Sequence, residues 1–464
     1  MPVRTTIVII TFFLLLRSFG AIAQSFSAEH NYAMNAPGVG MVQTVFSATV
    51  YVNKVEINDK RFRQLVDSVK RLDTAGNMLS ASQKLDVVVK ALYDNPFRYF
   101  SATTSYLRQQ HRIVSEGTGF FITGDGYFIT NCHVIDRDSA FIRQKFIQST
   151  FQEVTDANIR SLQASWAMTL TDEQRNLLYN SYSLIYSQLS SMILFNLQKD
   201  IYVIYRADNG LNKPFRIKKQ AALVIKGKAM PGKDVAILKL EDVKNLPTLR
   251  VSTDTIVRIG ERILVYGYPE PATSNIFLAS EASSDPTLTS GIVSAIRQSI
   301  GGWPVVQIDA IITHGSSGSP VCNENGEVIG LATFGSLEQN TGNLASGYNF
   351  AIPVSVMKEY LDSAKVQPQI SLSSSLYNEG LSFFYEAFYN KALKKFEDVA
   401  KLNSNYPELN YYETLCQNKI DAGEDKETFM QKNFFRIMAF ILFAGGVYIF
   451  YRWQKNKRET FHGT

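Results

Sequence analysis

Three short segments carry side chains that together could run acyl transfer through a serine. That chemistry needs a hydroxyl nucleophile, a base to take its proton, a carboxylate to orient the base, and amide donors for the tetrahedral oxyanion. Thr130-Asn131-Cys132-His133-Val134-Ile135 offers His133 as general base and then general acid. Lys233-Asp234-Val235-Ala236-Ile237-Leu238-Lys239 offers Asp234, at the start of a strand-like run, to hold the imidazole tautomer. Gly315-Ser316-Ser317-Gly318-Ser319-Pro320 is a small-residue turn that exposes Ser317 as nucleophile and leaves the Gly315 and Ser317 amides to form an oxyanion hole. Each residue has a plain structural role as well: a core histidine, a strand-start cap, a turn serine. His314 lies beside the proposed nucleophile and reads as a wall of the site.

The segments that must position these residues are mostly strand-like. Gly38 to Ile57 is rich in Val and Thr with partial alternation, and residues 113–135 form short β-type runs broken by Gly-Asp-Gly at 124–126, a hairpin signal. Further runs at Ile201–Tyr205, Ala221–Ile225, Val235–Leu240, Ile263–Tyr266, Gly291–Ile296, Val305–Ile308 and Val328–Phe334 predict an antiparallel barrel or sandwich. Two stretches interrupt this pattern with helical spacing, at about 58–95 and 138–198. From 372 the chain is helical, and Leu376, Gly380, Phe383, Ala392, Phe396 and Pro407 follow a tetratricopeptide (TPR)-like pattern. A single such repeat is equally consistent with a helical hairpin packed on the barrel.

Composition narrows the function classes. The formal net charge is +5, of which Arg452, Lys455, Lys457 and Arg458 supply four charges at the far C-terminus, so the remainder gives no reason to expect nucleic acid. Three cysteines, Cys132, Cys322 and Cys416, are too few for a disulfide framework, and their spacing matches no metal site. They read as small core residues. Gly227 to Lys233 fits the start of a phosphate-binding loop, but Asp234 stands where Ser or Thr should hold magnesium and a strand follows where a helix should begin. No cofactor and no metal are expected.

The ends read as targeting segments. Residues 1–23 have Arg4, an apolar stretch from Ile7 to Leu16 and Ala21-Ile22-Ala23 as a cleavage site, the pattern of a signal peptide. Residues 433–452 are expected to form a transmembrane helix anchoring the chain to a membrane, with 453–464 as a cytoplasmic tail and the body exported to the periplasmic or extracellular side.

Taken in order, the motifs resemble the trypsin-like peptidases, and most closely the HtrA/Deg group. Gly117-Thr118-Gly119-Phe120, Gly260-Glu261-Arg262, Tyr266-Gly267-Tyr268-Pro269, Thr289-Ser290-Gly291-Ile292-Val293-Ser294, Asp309-Ala310, Gly326-Glu327-Val328-Ile329-Gly330 and Asn349-Phe350-Ala351-Ile352-Pro353 look like segments of that group in its own order. The order His, Asp, Ser is also the chymotrypsin order. The resemblance implies a mainly β fold of two antiparallel six-stranded β-barrels (chymotrypsin-like) with helical insertions. The peptidase domain then runs over 24–365, followed by a TPR-like helical segment at 366–430 and the transmembrane helix. It implies serine endopeptidase activity on protein or peptide substrates, with His133, Asp234 and Ser317 as catalytic triad.

The departures are specific. Ser319 replaces the group's usual second glycine, as in staphylococcal glutamyl endopeptidases, yet Ala332 falls where those enzymes carry a histidine. Ile311 stands at the position that the resemblance gives to the specificity-pocket floor, so the expected preference is for a small or aliphatic side chain. The segment 355–430 is too short and too helical for the PDZ domain usual in HtrA proteins. The insertion between His133 and Asp234 is a candidate lid or docking surface. The competing reading is a catalytically silent, membrane-tethered binding module in which the TPR-like helices recruit a protein partner.

Overall fold

The computed structural model describes residues 26–74, 79–166, 169–189, 191–209, 214–273, 285–337, 344–426 and 434–461. The expected signal peptide lies outside them. The chain divides into two compact units, one made of 1–41, 117–131 and 204–464, the other of 42–116 and 132–203.

The first sheet comprises β1 (Val39–Ile57), β2 (Phe100–Phe121), β3 (Tyr127–Thr130), β4 (Met192–Asp208), β5 (Pro214–Gln220), β6 (Ala222–Lys226) and β7 (Ala236–Lys239), in the order β5-β4-β1-β2-β3-β7-β6. The hairpin expected at Gly124-Asp125-Gly126 joins β2 to β3. Gly126 has φ +105°, a conformation a Cβ would strain, and Phe120 pairs with Ile129 and Phe121 with Phe128. β3 then pairs antiparallel with β7, Thr130 opposite Ala236. That register brings the ends of the two strands together, so Asn131 donates its side-chain amide to the Asp234 carbonyl at 2.8 Å.

The second sheet is built from β8 (Arg250–Val251), β9 (Arg262–Gly267), β10 (Thr287–Gln298), β11 (Pro304–Ile308), β12 (Pro320–Cys322), β13 (Glu327–Leu337) and β14 (Leu344–Pro353). Its order is β12-β9-β10-β11-β14-β13-β8, and β12 also pairs with β13. This extra pairing closes six strands into a barrel, with β8 attached outside in parallel to β13. Closure removes the exposed edges that an open sheet would leave. Val293, Val306, Ile308, Val321 and Ala332 fill its interior, each at most 4% exposed.

Leu372–Tyr385, Tyr389–Leu402 and Leu409–Asp421 are helices of the same unit. Gly380 is what lets the first two approach: a Cβ there would lie 2.6 Å from the Phe396 ring. Tyr377, Phe396, Tyr406 and Tyr412 form the aromatic core between them. The N-terminal helix Ala28–Asn35, which the sequence reading missed, adds His30 stacked on Tyr385 with ring centroids 4.4 Å apart.

The second unit holds the continuations of β1, β2 and β4 together with helices Asp59–Thr74, Ala81–Asp94, Pro96–Tyr99, Ser139–Trp166 and Asp172–Leu189. Both helical insertions are therefore present. Val52, Val89, Leu92, Phe100, Leu178 and Tyr182 make its core. Ser80 and Gln83 close a reciprocal cap at the start of Ala81–Asp94, satisfying two backbone donors.

Four expectations are corrected. The second insertion ends at Leu189, and β4 starts at Met192 with the short apolar run Met192-Ile193-Leu194-Phe195. A mainly β description understates the helix content contributed by the insertions and the C-terminal segment. Of the two expected six-stranded barrels, one closes, while the other sheet has seven strands and no closing pair recorded among the described residues. Residues Phe434–Phe461 do form a helix, but among the described residues no helix is long and apolar enough to cross a membrane. The physical reason lies in the sequence: the uninterrupted apolar run Ile437–Tyr451 is bounded by Arg436 and Arg452 and falls short of the roughly 20 residues a span needs. All three cysteines are buried and none forms a disulfide among the described residues, which agrees with their reading as small core residues.

Candidate active site

The turn from Thr313 to Ser319 is held by main-chain bonds on both sides of Ser317. Ser316 N–H donates to the Thr313 carbonyl at 2.9 Å and Ser319 N–H to the Ser316 carbonyl at 3.0 Å. Gly318 N–H donates to Ala332 O at 2.8 Å, and Ala332 N–H returns a bond to Ser319 O at 2.9 Å, which fastens the turn to β13. Gly315 and Gly318 have φ of +88° and +91°. A Cβ on either would collide with main chain, Tyr268 O at 2.3 Å or Thr118 O at 2.0 Å, so only glycine fits.

Thr118 anchors the turn from β2. Its N–H donates to the Ser317 carbonyl at 2.8 Å and its hydroxyl to the Gly315 carbonyl at 2.7 Å, while the hydroxyl accepts from Tyr268 N–H at 2.9 Å. Thr130 Oγ1 donates in turn to Thr118 O at 2.7 Å. With both carbonyls engaged, the N–H groups of Gly315 and Ser317 have no acceptor among the described residues. Two undirected amides flanking a serine hydroxyl have the composition of an anion-stabilising pair.

Asp234 is fully buried. Its Oδ2 accepts from the Thr333 hydroxyl at 2.8 Å, and the Thr333 carbonyl accepts from the Ser317 hydroxyl at 3.0 Å. One residue of β13 thus touches both the proposed carboxylate and the proposed nucleophile. Thr333 was missed in the sequence, where it stands 99 positions from Asp234 without a motif of its own. Asp234 and Ser317 belong to the first unit and meet at Thr333. His133, half-buried on the short helix Cys132–Ile135, belongs to the second unit, two positions after Asn131 ends a segment of the first.

Ile311 is 64% exposed and lines a cavity of about 400 Å³ with Val265, Pro269, Ala272 and Thr289. Ser316 and Ser319 reach it from either side of Ser317, and no ionisable side chain lines it among the described residues. The Ser319 hydroxyl is fully buried and has no hydrogen-bond partner among the described residues. Ala332 is fully buried too, its backbone spent on the turn. His314 contributes its carbonyl, which accepts from Glu270 N–H at 2.7 Å, and so acts as a wall of the loop. No cluster of metal-ligating side chains occurs among the described residues.

Residues 117–331 match the family model for the trypsin-like peptidase domain. A probable periplasmic serine endoprotease, DegP-like, of Rhizobium meliloti (strain 1021) is 34% identical over 133 residues, 28% of this chain and 23% of that protein. Serine endoprotease DegS of Salmonella typhimurium (strain 14028s / SGSC 2262) is 32% identical over 134 residues, 28% of this chain and 34% of that protein. The chain therefore spans about a quarter to a third of the length of these relatives. The crystal structure of a serine endoprotease from Yersinia pestis aligns with 73% of this chain and 66% of that chain at 18% identity and a TM-score of 0.32.

Proposed function

From the premise that residues 117–331 form a trypsin-like peptidase domain with DegP- and DegS-like relatives, we propose that the chain is a serine endopeptidase working through an acyl-enzyme. Ser317 attacks the scissile carbonyl, His133 takes and returns the proton, and Asp234 orients the imidazole and stabilises its charged form. The Gly315 and Ser317 amides receive the oxyanion. The single observation that carries this reading is Thr333, whose hydroxyl holds the buried Asp234 carboxylate while its carbonyl receives the Ser317 hydroxyl.

The peptidase reading extends over residues 24–365, with proteins or peptides as substrates, and export of this domain agrees with the periplasmic naming of the relatives. The uncharged cavity at Ile311 supports a small or aliphatic preference on the acyl side of the cut bond. The helices within 366–430, with the Gly380–Phe396 contact, support a TPR-like segment available to a protein partner. The proposal is tested with a fluorophosphonate probe on the full chain. The expected result is covalent labelling that maps to Ser317 and disappears in Ser317→Ala; labelling that persists unchanged in that variant contradicts it.

A further inference from the structure

The second unit carries a recess of its own, about 380 Å³ in volume. Ser47 of β1, Arg108, Gln110 and Arg112 of β2, and Asn196 and Gln198 of β4 contribute to its lining. Side chains two apart on a strand share a face, so Arg108, Gln110 and Arg112 project together. His111, between them in sequence, is buried and also lines the recess. Its Nε2 lies 2.7 Å from the Thr150 hydroxyl and its Nδ1 3.7 Å from a Glu153 carboxylate oxygen.

No carboxylate lines the recess, and neither Arg108 nor Arg112 has an acidic partner among the described residues. One exposed arginine without a partner is ordinary. Two on one strand, facing a concavity otherwise lined by side-chain amides, hydroxyls, Ala48 and the His111 ring, form a positively charged polar site. Asn196 marks the same place in the backbone, with φ +52° inside β4. Left-handed backbone at a non-glycine residue within a strand is uncommon and tends to occur where a side chain is aimed for a purpose.

We propose that this recess binds an extended anionic polypeptide segment whose carboxylates are four residues apart. At about 3.3 Å per residue, Arg108 and Arg112 leave the strand roughly 13 Å apart, the spacing of two such carboxylates on an extended peptide lying along β2. Gln110, Asn196 and Gln198 each offer donors and an acceptor, which suits the alternating N–H and C=O groups of a peptide backbone. A polyphosphate offers acceptors alone and would leave those amide oxygens unused. The bidentate guanidinium geometry matches a carboxylate at each end. This site does not depend on the peptidase reading.

The test uses the full chain carrying Ser317→Ala, so that cleavage cannot remove the probe, and a fluorescein-labelled decapeptide with two aspartates four residues apart. Fluorescence anisotropy should show saturable binding that weakens on raising NaCl from 50 to 300 mM, because the contact is electrostatic and partly exposed. Arg108→Gln and Arg112→Gln should each weaken it about two- to fivefold, and the double variant more, with unchanged thermal melting. A peptide with the aspartates adjacent should bind several-fold less well. Absence of saturable binding, insensitivity to the double substitution, indifference to aspartate spacing, or stronger binding of sodium tripolyphosphate than of the peptide would each overturn the proposal.

Discussion

Replacing Thr333 with valine removes one hydroxyl and keeps the side chain's shape. The perturbation falls on a bond between two buried groups, since Thr333 is 2% exposed and Asp234 fully buried. A hydrogen bond to a charged group contributes about 1.5 to 3 kcal/mol. If that bond holds the carboxylate against the imidazole in the transition state, its loss lowers kcat/KM by about 10- to 100-fold. The Ser317 contact is made to the Thr333 carbonyl, which valine retains, so the nucleophile keeps its position. The loss should therefore fall on kcat, with KM nearly unchanged, and Thr333→Ser should restore most of it. Steady-state hydrolysis of a reduced, unfolded protein substrate reads both parameters. The reasoning is refuted if the valine variant stays within twofold of wild type, or if the serine variant is as damaged as the valine one.

Other outcomes follow from the same geometry. Burial pushes the His30 imidazole down from its ordinary value of 6.5 to about 4. The folded state therefore prefers the neutral ring, and its contribution is complete above pH 6.5 and lost as pH falls toward 4, at a cost of about 2 kcal/mol. Urea unfolding at pH 7 and 4.5 should show this loss in wild type and a smaller one in His30→Phe; equal losses would count against it. Gly380→Ala should cost about 1 to 3 kcal/mol in thermal unfolding, because the added Cβ meets the Phe396 ring within 3 Å. Arg206 is 10% exposed and bonds both Asp285, at 2.9 Å, and Glu408, at 2.8 Å. Arg206→Met should destabilise by about 2 to 3 kcal/mol, since it leaves two carboxylates facing each other without a cation, and adding Glu408→Gln should recover part of that loss.

The residues that carry local information were legible in the sequence. Val- and Thr-rich alternation located β1 to within one residue, Gly124-Asp125-Gly126 located the hairpin, and helical spacing located both insertions. The glycines around Ser317 announced a turn, and the structure adds that Gly315 and Gly318 both take positive φ there. What stayed hidden depends on contacts distant along the chain. The closing of β12 onto β13, the bond from Thr333 to Asp234, and the arginine and amide residues that β1, β2 and β4 bring to one recess follow from strand register. Composition does not encode register. The helical pattern also ran past Leu189 because the short continuous apolar run Met192–Phe195 beside a helix cannot be told from helix by periodicity alone.

The central claim is that His133, Asp234 and Ser317 act as one catalytic unit, and the most direct measurement is a cycle of single and combined substitutions. His133→Ala, Asp234→Asn and Ser317→Ala should each reduce kcat on an unfolded protein substrate by about a thousandfold or more, and combining them should reduce it little further. Additive losses, or a His133→Ala enzyme that keeps activity within tenfold of wild type, would contradict the account.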